Sequence, residues 1–147
     1  MQHNNRWVVI ALLITGLLLS ACSRASADVT TKTQPALVEL IEGTEFNRVV
    51  LTEKAASRLD IQTAPIREEQ VNGMLRKVVP YAAVIYDLHG ETWAYTSPEA
   101  LTFVRQAITV DYIEGDLAVL VEGPPTGTEV ATVGVAELYG TDTGIGK

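Results

Sequence analysis

From residue 74 to residue 136 the sequence consists of short β-like runs separated by turn-forming residues. The runs are rich in residues that favour strands, and the segments between them contain Gly, Pro and Asp. The runs span residues 74–79, 82–86, 92–96, 102–112, 117–121 and 129–136. Because they recur at intervals of roughly 8 to 12 residues, the sequence predicts a mainly β fold: a small antiparallel β-roll, sandwich or barrel.

One short helix is expected before these strands. Residues 49–51 favour a strand, and Thr52 can cap a helix over residues 53–59. Alternating residues from Ile61 to Pro65 then favour a second strand. Pro65 has no backbone N–H to donate, so this segment is expected at a sheet edge or at a strand end.

The run at 102–110 has two candidate faces, because side chains alternate across a strand. We expect the core side to be the one that carries Val104, Gln106, Ile108 and Val110. The opposite face carries Phe103, Arg105, Ala107 and Thr109.

The first 21 residues have the features of a signal peptide. Arg6 precedes an apolar stretch from Trp7 to Leu19, and small residues follow. As a helix, the uncharged stretch 7–21 would rise only about 22 Å, against a hydrocarbon core of about 30 Å. The segment is therefore predicted to direct export and to be removed, rather than to span a membrane.

The end of this segment, Leu19-Ser20-Ala21-Cys22, resembles the lipobox of bacterial lipoproteins. The resemblance implies cleavage between Ala21 and Cys22 and attachment of a diacylglyceryl group to the Cys22 thiol. Cys22 is the only cysteine, so it has no partner for an internal disulfide. About two acyl chains give stable membrane attachment. The alternative is an ordinary buried cysteine in the apolar run.

The chain then divides into four predicted regions. They are a signal peptide (1–21), a lipidated N-terminus and flexible tether (22–46), a β-domain (47–139) and a flexible tail (140–147). The signal peptide holds one of the 11 basic residues and none of the 18 acidic ones, so the remainder is strongly acidic. This charge argues against nucleic acid as a partner and gives no attraction to anionic lipids, so the covalent lipid must hold the protein at the membrane.

The sequence offers few residues for catalysis or for binding a metal. Its two histidines are His3, which is removed with the signal peptide, and His89, which lies in a predicted turn. Ser57 and Ser97 have no sequence-local base. We therefore expect no enzymatic activity, no metal site and no cofactor apart from the lipid on Cys22. Neighbouring carboxylates are interpreted as solvated loop residues: Glu68, Glu69, Glu114 and Asp116.

Trp93 and Tyr95 alternate on one face of a predicted strand. The functional interpretation makes them a surface for a partner or a ligand. The favoured alternative is that both aromatic side chains pack into the core.

Two blocks of sequence resemble the membrane-proximal part of periplasmic adaptor subunits, also called membrane fusion proteins, of resistance-nodulation-division (RND) efflux systems. The first is VVLTEKAASRLDIQTAPIRE at 49–68, with Asp60 where the family usually has Gly. The second contains Val79-Pro80, residues 83–86, 92–95, 103–105 and 108–110, Gly115-Asp116, Val133-Gly134 and Glu137-Leu138. Full adaptors carry barrel, lipoyl and helical-hairpin domains between these blocks, whereas here only residues 67–78 join them.

The resemblance implies a membrane-proximal β-domain without the domains that reach an outer-membrane duct. We therefore expect a non-catalytic, lipid-anchored protein of the cell envelope, facing the periplasm or the cell exterior. Its expected partner is an RND-type transporter or a full-length adaptor. The alternative is a small-molecule or metal-binding periplasmic lipoprotein that uses Trp93 and Tyr95 as a pocket wall.

Overall fold

The computed structural model describes residues 34–145. The predicted signal peptide, the cleavage site at Ala21 and Cys22, and the predicted tether up to residue 33 lie outside these residues. A search of the described helices finds none with the length and apolar character needed to cross a membrane.

Eleven strands in the described residues form two antiparallel sheets, which confirms the predicted mainly β fold. The strands are β1 (Ala36–Leu40), β2 (Asn47–Leu51), β3 (Gln62–Pro65), β4 (Arg67–Val71), β5 (Met74–Pro80), β6 (Ile85–Tyr86), β7 (Thr92–Glu99), β8 (Thr102–Ala107), β9 (Thr109–Glu114), β10 (Leu117–Glu122) and β11 (Glu129–Val133). A single 3₁₀ turn, Tyr81–Ala83, precedes β6, so the strand predicted at 82–86 is shorter than expected.

Sheet A contains seven strands in the order β1-β2-β8-β7-β11-β3, with β6 paired to β7. Sheet B contains four strands in the order β4-β5-β10-β9. Strand β3 lies at the edge of sheet A and ends at Pro65, which confirms the edge position predicted from that proline.

Two helices accompany the sheets in the described part of the chain. Helix α1 (Glu53–Arg58) confirms the predicted short helix, since the Thr52 hydroxyl accepts a hydrogen bond from the Ala55 N–H at 3.2 Å. Helix α2 (Val135–Thr143) was not predicted. It lies between Gly134 and Gly144, whose positive φ angles of 76° and 72° suit glycine at helix ends. Residues 140–143 are therefore helical rather than part of a flexible tail.

Strand β1 corrects the predicted tether boundary. Residues 22–46 were assigned to a flexible tether, with a docked strand and a short helix both left open for the apolar run 36–41. The strand is what forms: β1 pairs with β2 in a register from Ala36 opposite Leu51 to Leu40 opposite Asn47. This run is too short for its periodicity to identify it in the sequence. It becomes a strand because it satisfies the open backbone edge of β2. The folded domain therefore begins at β1, before residue 47.

Sheet A is the middle layer of the domain, because both of its faces are buried. One face packs on the helices, and the other packs on sheet B. The cluster beneath the helices includes Val49, Phe103, Ala131, Val135 and Leu138. The cluster between the sheets includes Ala94, Val130, Val79, Ala118 and Leu120. A third cluster, Val71, Val78 and Val119, belongs to sheet B.

Two buried isoleucines carry the chain from sheet A to sheet B. Ile66 is the single residue between β3 and β4, and Ile108 is the single residue between β8 and β9. This crossing corrects the face assignment of the run at 102–110. Ile108 is buried as expected, but Phe103, which was assigned to the outer face, is only 2% exposed. The alternation failed because the run contains two strands, and the first belongs to a sheet covered on both sides.

Residues 67–78 form a hairpin of β4 and β5, with Arg67 opposite Val78 and Val71 opposite Met74. The turn residues Asn72 and Gly73 have φ angles of 51° and 79°, as a tight type I′ hairpin turn requires. Glu68 and Glu69 therefore lie on strand β4 rather than in a loop.

Candidate interaction site around Trp93 and Arg105

The two aromatic residues selected from the sequence lie on the same side of β7 but in different environments. Tyr95 has no exposed surface and packs in the cluster beneath the helices. It cannot form part of a partner or ligand surface, which corrects that hypothesis and supports the alternative of core packing for this residue. Trp93 is partly exposed and remains a candidate.

Asp142, in the last turn of α2, is the centre of a buried polar cluster. Its Oδ2 accepts a hydrogen bond from the Tyr95 hydroxyl at 2.7 Å. Its Oδ1 accepts one from Asn47 Nδ2 at 3.0 Å, and its backbone oxygen accepts a second from the same amide at 3.2 Å. Because Asn47 is on β2 and Tyr95 on β7, the carboxylate joins α2 to two strands of sheet A.

Burial raises the pKa of Tyr95 far above its usual value, and its hydrogen bond to Asp142 and the charge of that carboxylate add to the shift. The nearby Arg105 charge opposes the shift. The Tyr95 phenol therefore stays protonated and donates to Asp142 at neutral and moderately alkaline pH.

Arg105 lies on β8 directly opposite Tyr95. Its Nε atom is 3.4 Å from Asp142 Oδ2, too poorly aligned for a hydrogen bond, and is buried with no hydrogen-bond partner among the described residues. The guanidinium is surrounded by aromatic rings, with its central carbon 4.8 Å from the Trp93 ring centroid, 5.8 Å from that of Phe46 and 5.9 Å from that of Tyr139. These distances suit cation–π attraction.

Trp93 is fixed in place from two sides. The Phe46 ring packs edge-on against it, with centroids 5.6 Å apart. The indole Nε1 donates a hydrogen bond to Asp87 Oδ2 at 3.0 Å. Asp87 Oδ1 accepts the backbone N–H groups of His89 at 2.8 Å and Glu91 at 3.0 Å, so the same carboxylate shapes the turn before β7. Trp93 is thus held in one orientation and does not lie loosely on the surface.

Partial desolvation of Asp87 acts to raise its pKa. The hydrogen bonds from Trp93 and from the backbone of His89 and Glu91 outweigh this effect, and the pKa is lowered. The carboxylate is therefore ionised at neutral pH.

An open groove of about 600 Å³ lies beside these residues. Its walls include Ile41, Phe46, Trp93, Arg105, Glu122 and Pro124. The volume falls in the range of small-molecule sites, and Trp and Arg are the residue types that most often carry binding energy in protein interfaces. The groove offers aromatic surface together with a cation and a carboxylate.

The other residues considered from the sequence do not converge on this groove. His89 lies in the exposed turn before β7, Ser57 is in α1 and Ser97 is on β7. Within residues 34–145, no three His, Cys, Asp or Glu side chains are grouped so that they could hold a metal ion.

Sequence analysis missed three residues of the polar cluster: Asn47, Arg105 and Asp142. Arg105 was assigned to the outer face, and Asp142 to a flexible tail. One signal for Asp142 was present, because Val135, Leu138 and Asp142 have the i, i+3, i+7 spacing of a single helix face. Nothing in the sequence connects Asn47 with a carboxylate 95 residues later.

Comparison of the chain with protein-family models, curated proteins and solved structures finds no match.

Proposed function

We propose that this chain is a non-catalytic, lipid-anchored protein of the cell envelope whose β-domain binds another envelope protein. The observation that carries the proposal is the partly exposed, rigidly held Trp93 beside Arg105 in an open groove. A fixed aromatic side chain loses little conformational freedom on binding, which favours its use in recognition.

The partner suggested by the sequence resemblance is an RND-type transporter or a full-length adaptor. The β4–β5 hairpin is compatible with this origin, since it occupies the place between the two blocks where adaptors carry their inserted domains. Its Asn72-Gly73 turn closes the gap with two residues. A domain joined in this way would keep a docking surface and lose the parts that build a duct.

The partner-binding proposal can be tested by affinity capture from detergent-solubilised membranes with the tagged full chain. Trp93→Ala removes the aromatic wall and is expected to reduce recovery of transporter or adaptor subunits by about tenfold or more, as for truncation of an interface hot spot. Tyr81→Ala is the matched control, since Tyr81 is 43% exposed and does not line the groove. Capture of no envelope protein by the unsubstituted chain would contradict the proposal.

The lipid anchor can be tested by metabolic labelling with a fatty acid. Cys22→Ala is expected to abolish incorporation, because the thiol that receives the lipid is gone, and to leave the precursor uncleaved. Ser23→Ala, which leaves the thiol in place, should be labelled normally. Undiminished labelling of the Cys22→Ala protein would contradict the lipobox interpretation.

A small-molecule-binding lipoprotein is the second candidate, and the groove of about 600 Å³ beside Trp93 is the observation that favours it. Trp7 belongs to the predicted signal peptide, so Trp93 is the only tryptophan after cleavage. Titration with efflux substrates or metal ions should then give a saturable change in its fluorescence. A flat titration would remove the support for this alternative.

A further inference from the structure

Apolar side chains on β1 remain exposed although they are part of a folded sheet. Leu37 is 51% exposed, Val38 36% and Leu40 68%, and Ile145, just beyond α2, is 60% exposed. Val38 and Leu40 lie on the helix-facing side of β1, whereas Leu37 points to the opposite face, and we call Val38, Leu40 and Ile145 the β1 surface. Val38 and Ile145 line an apolar groove of about 940 Å³ between β1 and the helices, whose other walls include Leu51, Ala55 and Leu59. Leu40 lies two residues beyond Val38 on the same face of β1.

The β1 surface is exposed because the helices cover β2 but do not extend fully over β1, the edge strand beside it. Val38 pairs with Val49 on the neighbouring strand, so the two side chains lie on the same face of sheet A. Val49 is completely buried, whereas Val38 is 36% exposed. The edge strand therefore extends the helix-facing side of the sheet without the helices that cover the rest of it.

The chain that leads to Cys22 enters the domain at this groove. Gln34 and Pro35, which precede β1, are themselves part of the groove wall. Cys22 is 12 residues before Gln34. Fully extended, this length of chain reaches at most about 43 Å. A lipid on Cys22 would therefore keep the point where β1 enters the domain within about 43 Å of the bilayer and would leave the orientation of the domain free.

We propose that the β1 surface rests on the lipid bilayer, with its apolar side chains at the boundary between the headgroups and the acyl chains. This inference depends on the lipid anchor of the proposed function. The groove carries one cation, Arg58, and one carboxylate, Glu137, and the domain is acidic overall, so the surface suits zwitterionic lipids and the domain as a whole is not attracted to anionic ones. The anchor alone limits distance, and the β1 surface sets orientation.

The experiment uses the full lipidated chain in phosphatidylcholine vesicles. A fluorescent probe is attached at Glu42→Cys, in the turn after β1, or at the matched control Glu114→Cys, where β9 ends in sheet B. With Cys22 acylated, each introduced cysteine is the only free thiol. Lipids brominated on their acyl chains should quench the probe at position 42 and leave the probe at position 114 unquenched.

A second substitution identifies the side chains responsible. Leu40→Ser should lower the equilibrium constant for the lipid-facing orientation by about tenfold and relieve the quenching at position 42. Leu75→Ser, at a leucine of sheet B with 59% exposure, should leave the quenching unchanged. Replacing part of the phosphatidylcholine by an anionic lipid should not strengthen the quenching.

The outcomes distinguish failure of the lipid anchor from failure of the orienting role of the β1 surface. If the chain without an added cysteine takes up the probe, or fails to sediment with vesicles, the lipid anchor is wrong and this inference is overturned with it. If the chain sediments but the probes at 42 and 114 are quenched equally, or Leu40→Ser has no effect, the anchor stands and the β1 surface does not set orientation.

Discussion

Replacing Tyr95 by Phe removes one hydroxyl from the buried cluster around Asp142 and leaves the aromatic ring in place. The lost hydrogen bond has a charged acceptor and is 2.7 Å long, so its removal is expected to cost about 1.5–3 kcal/mol of the free energy of unfolding. A domain of about 110 residues loses about 4 °C in Tm for each kcal/mol, which predicts a decrease of about 6–12 °C.

The pH dependence gives this prediction a second, independent measurement. The pKa of Tyr95 is raised in the folded protein, so the folded state keeps the proton while the unfolded state loses it above about pH 10. The contribution of Tyr95 to the free energy of unfolding is therefore fully present below pH 10 and decreases as the pH rises above it. At pH 11 this loss is on the order of 1 kcal/mol for the wild type and is absent from Tyr95→Phe, so the difference between the two proteins should shrink by about that amount.

Chemical denaturation of both proteins between pH 8 and pH 11 measures these quantities. Tyr112→Phe is the matched control, because its hydroxyl accepts a single hydrogen bond within residues 34–145, from the exposed Asn72 amide at 3.3 Å, and its effect should stay within about 0.5 kcal/mol. An unchanged Tm for Tyr95→Phe, or a difference from wild type that stays constant up to pH 11, would refute the role assigned to the Tyr95–Asp142 hydrogen bond.

Gly134→Ala should lower the free energy of unfolding by about 1–2 kcal/mol, because φ is 76° there and the added Cβ would overlap the Ile61 side chain. Gly140→Ala, in the interior of α2 with room for a Cβ, should instead raise it by about 0.5–1 kcal/mol; equal effects in thermal denaturation would contradict both. Asp87 has a lowered pKa, so its stabilising hydrogen bonds are present above its unfolded pKa and are lost as the pH falls below about 4. Trp93 fluorescence should therefore change in acid in the wild type, and an Asp87→Ala protein that shows the same transition would exclude this cause.

Local signals predicted much of the fold. Thr52 was identified as a helix cap and the structure confirms it, and Pro65 was correctly placed at a sheet edge. These predictions succeeded because each depends on the chemistry of one residue and its immediate neighbours. The Asn72-Gly73 turn carried a signal of the same kind, which would have identified the β4–β5 hairpin.

The predictions that failed depend on which layers cover a segment. Phe103 and Arg105 lie on β8, in a sheet with helices on one side and a second sheet on the other, so alternation cannot distinguish the buried face. Helix α2 contains Gly140, Thr141 and Thr143, which are poor helix formers, and is held by the packing of Leu138 and the hydrogen bonds of Asp142.

The candidate site was predictable only in part. Trp93 was selected from its residue type and its position on a strand. The ring of contacts around it comes from Phe46, Arg105 and Tyr139, which are distant in the sequence. Their meeting depends on the order of strands in sheet A, which no local pattern encodes.

The single-residue crossings at Ile66 and Ile108 have a consequence for how the domain comes apart. Each isoleucine is covalently bound to a strand of both sheets and is 1% or 5% exposed in the layer between them. Separating the two sheets would expose both isoleucine side chains to water and would remove the contacts that each sheet makes with the other. The two sheets are therefore expected to unfold together. A protease in the cell would encounter either the folded domain or the fully unfolded chain.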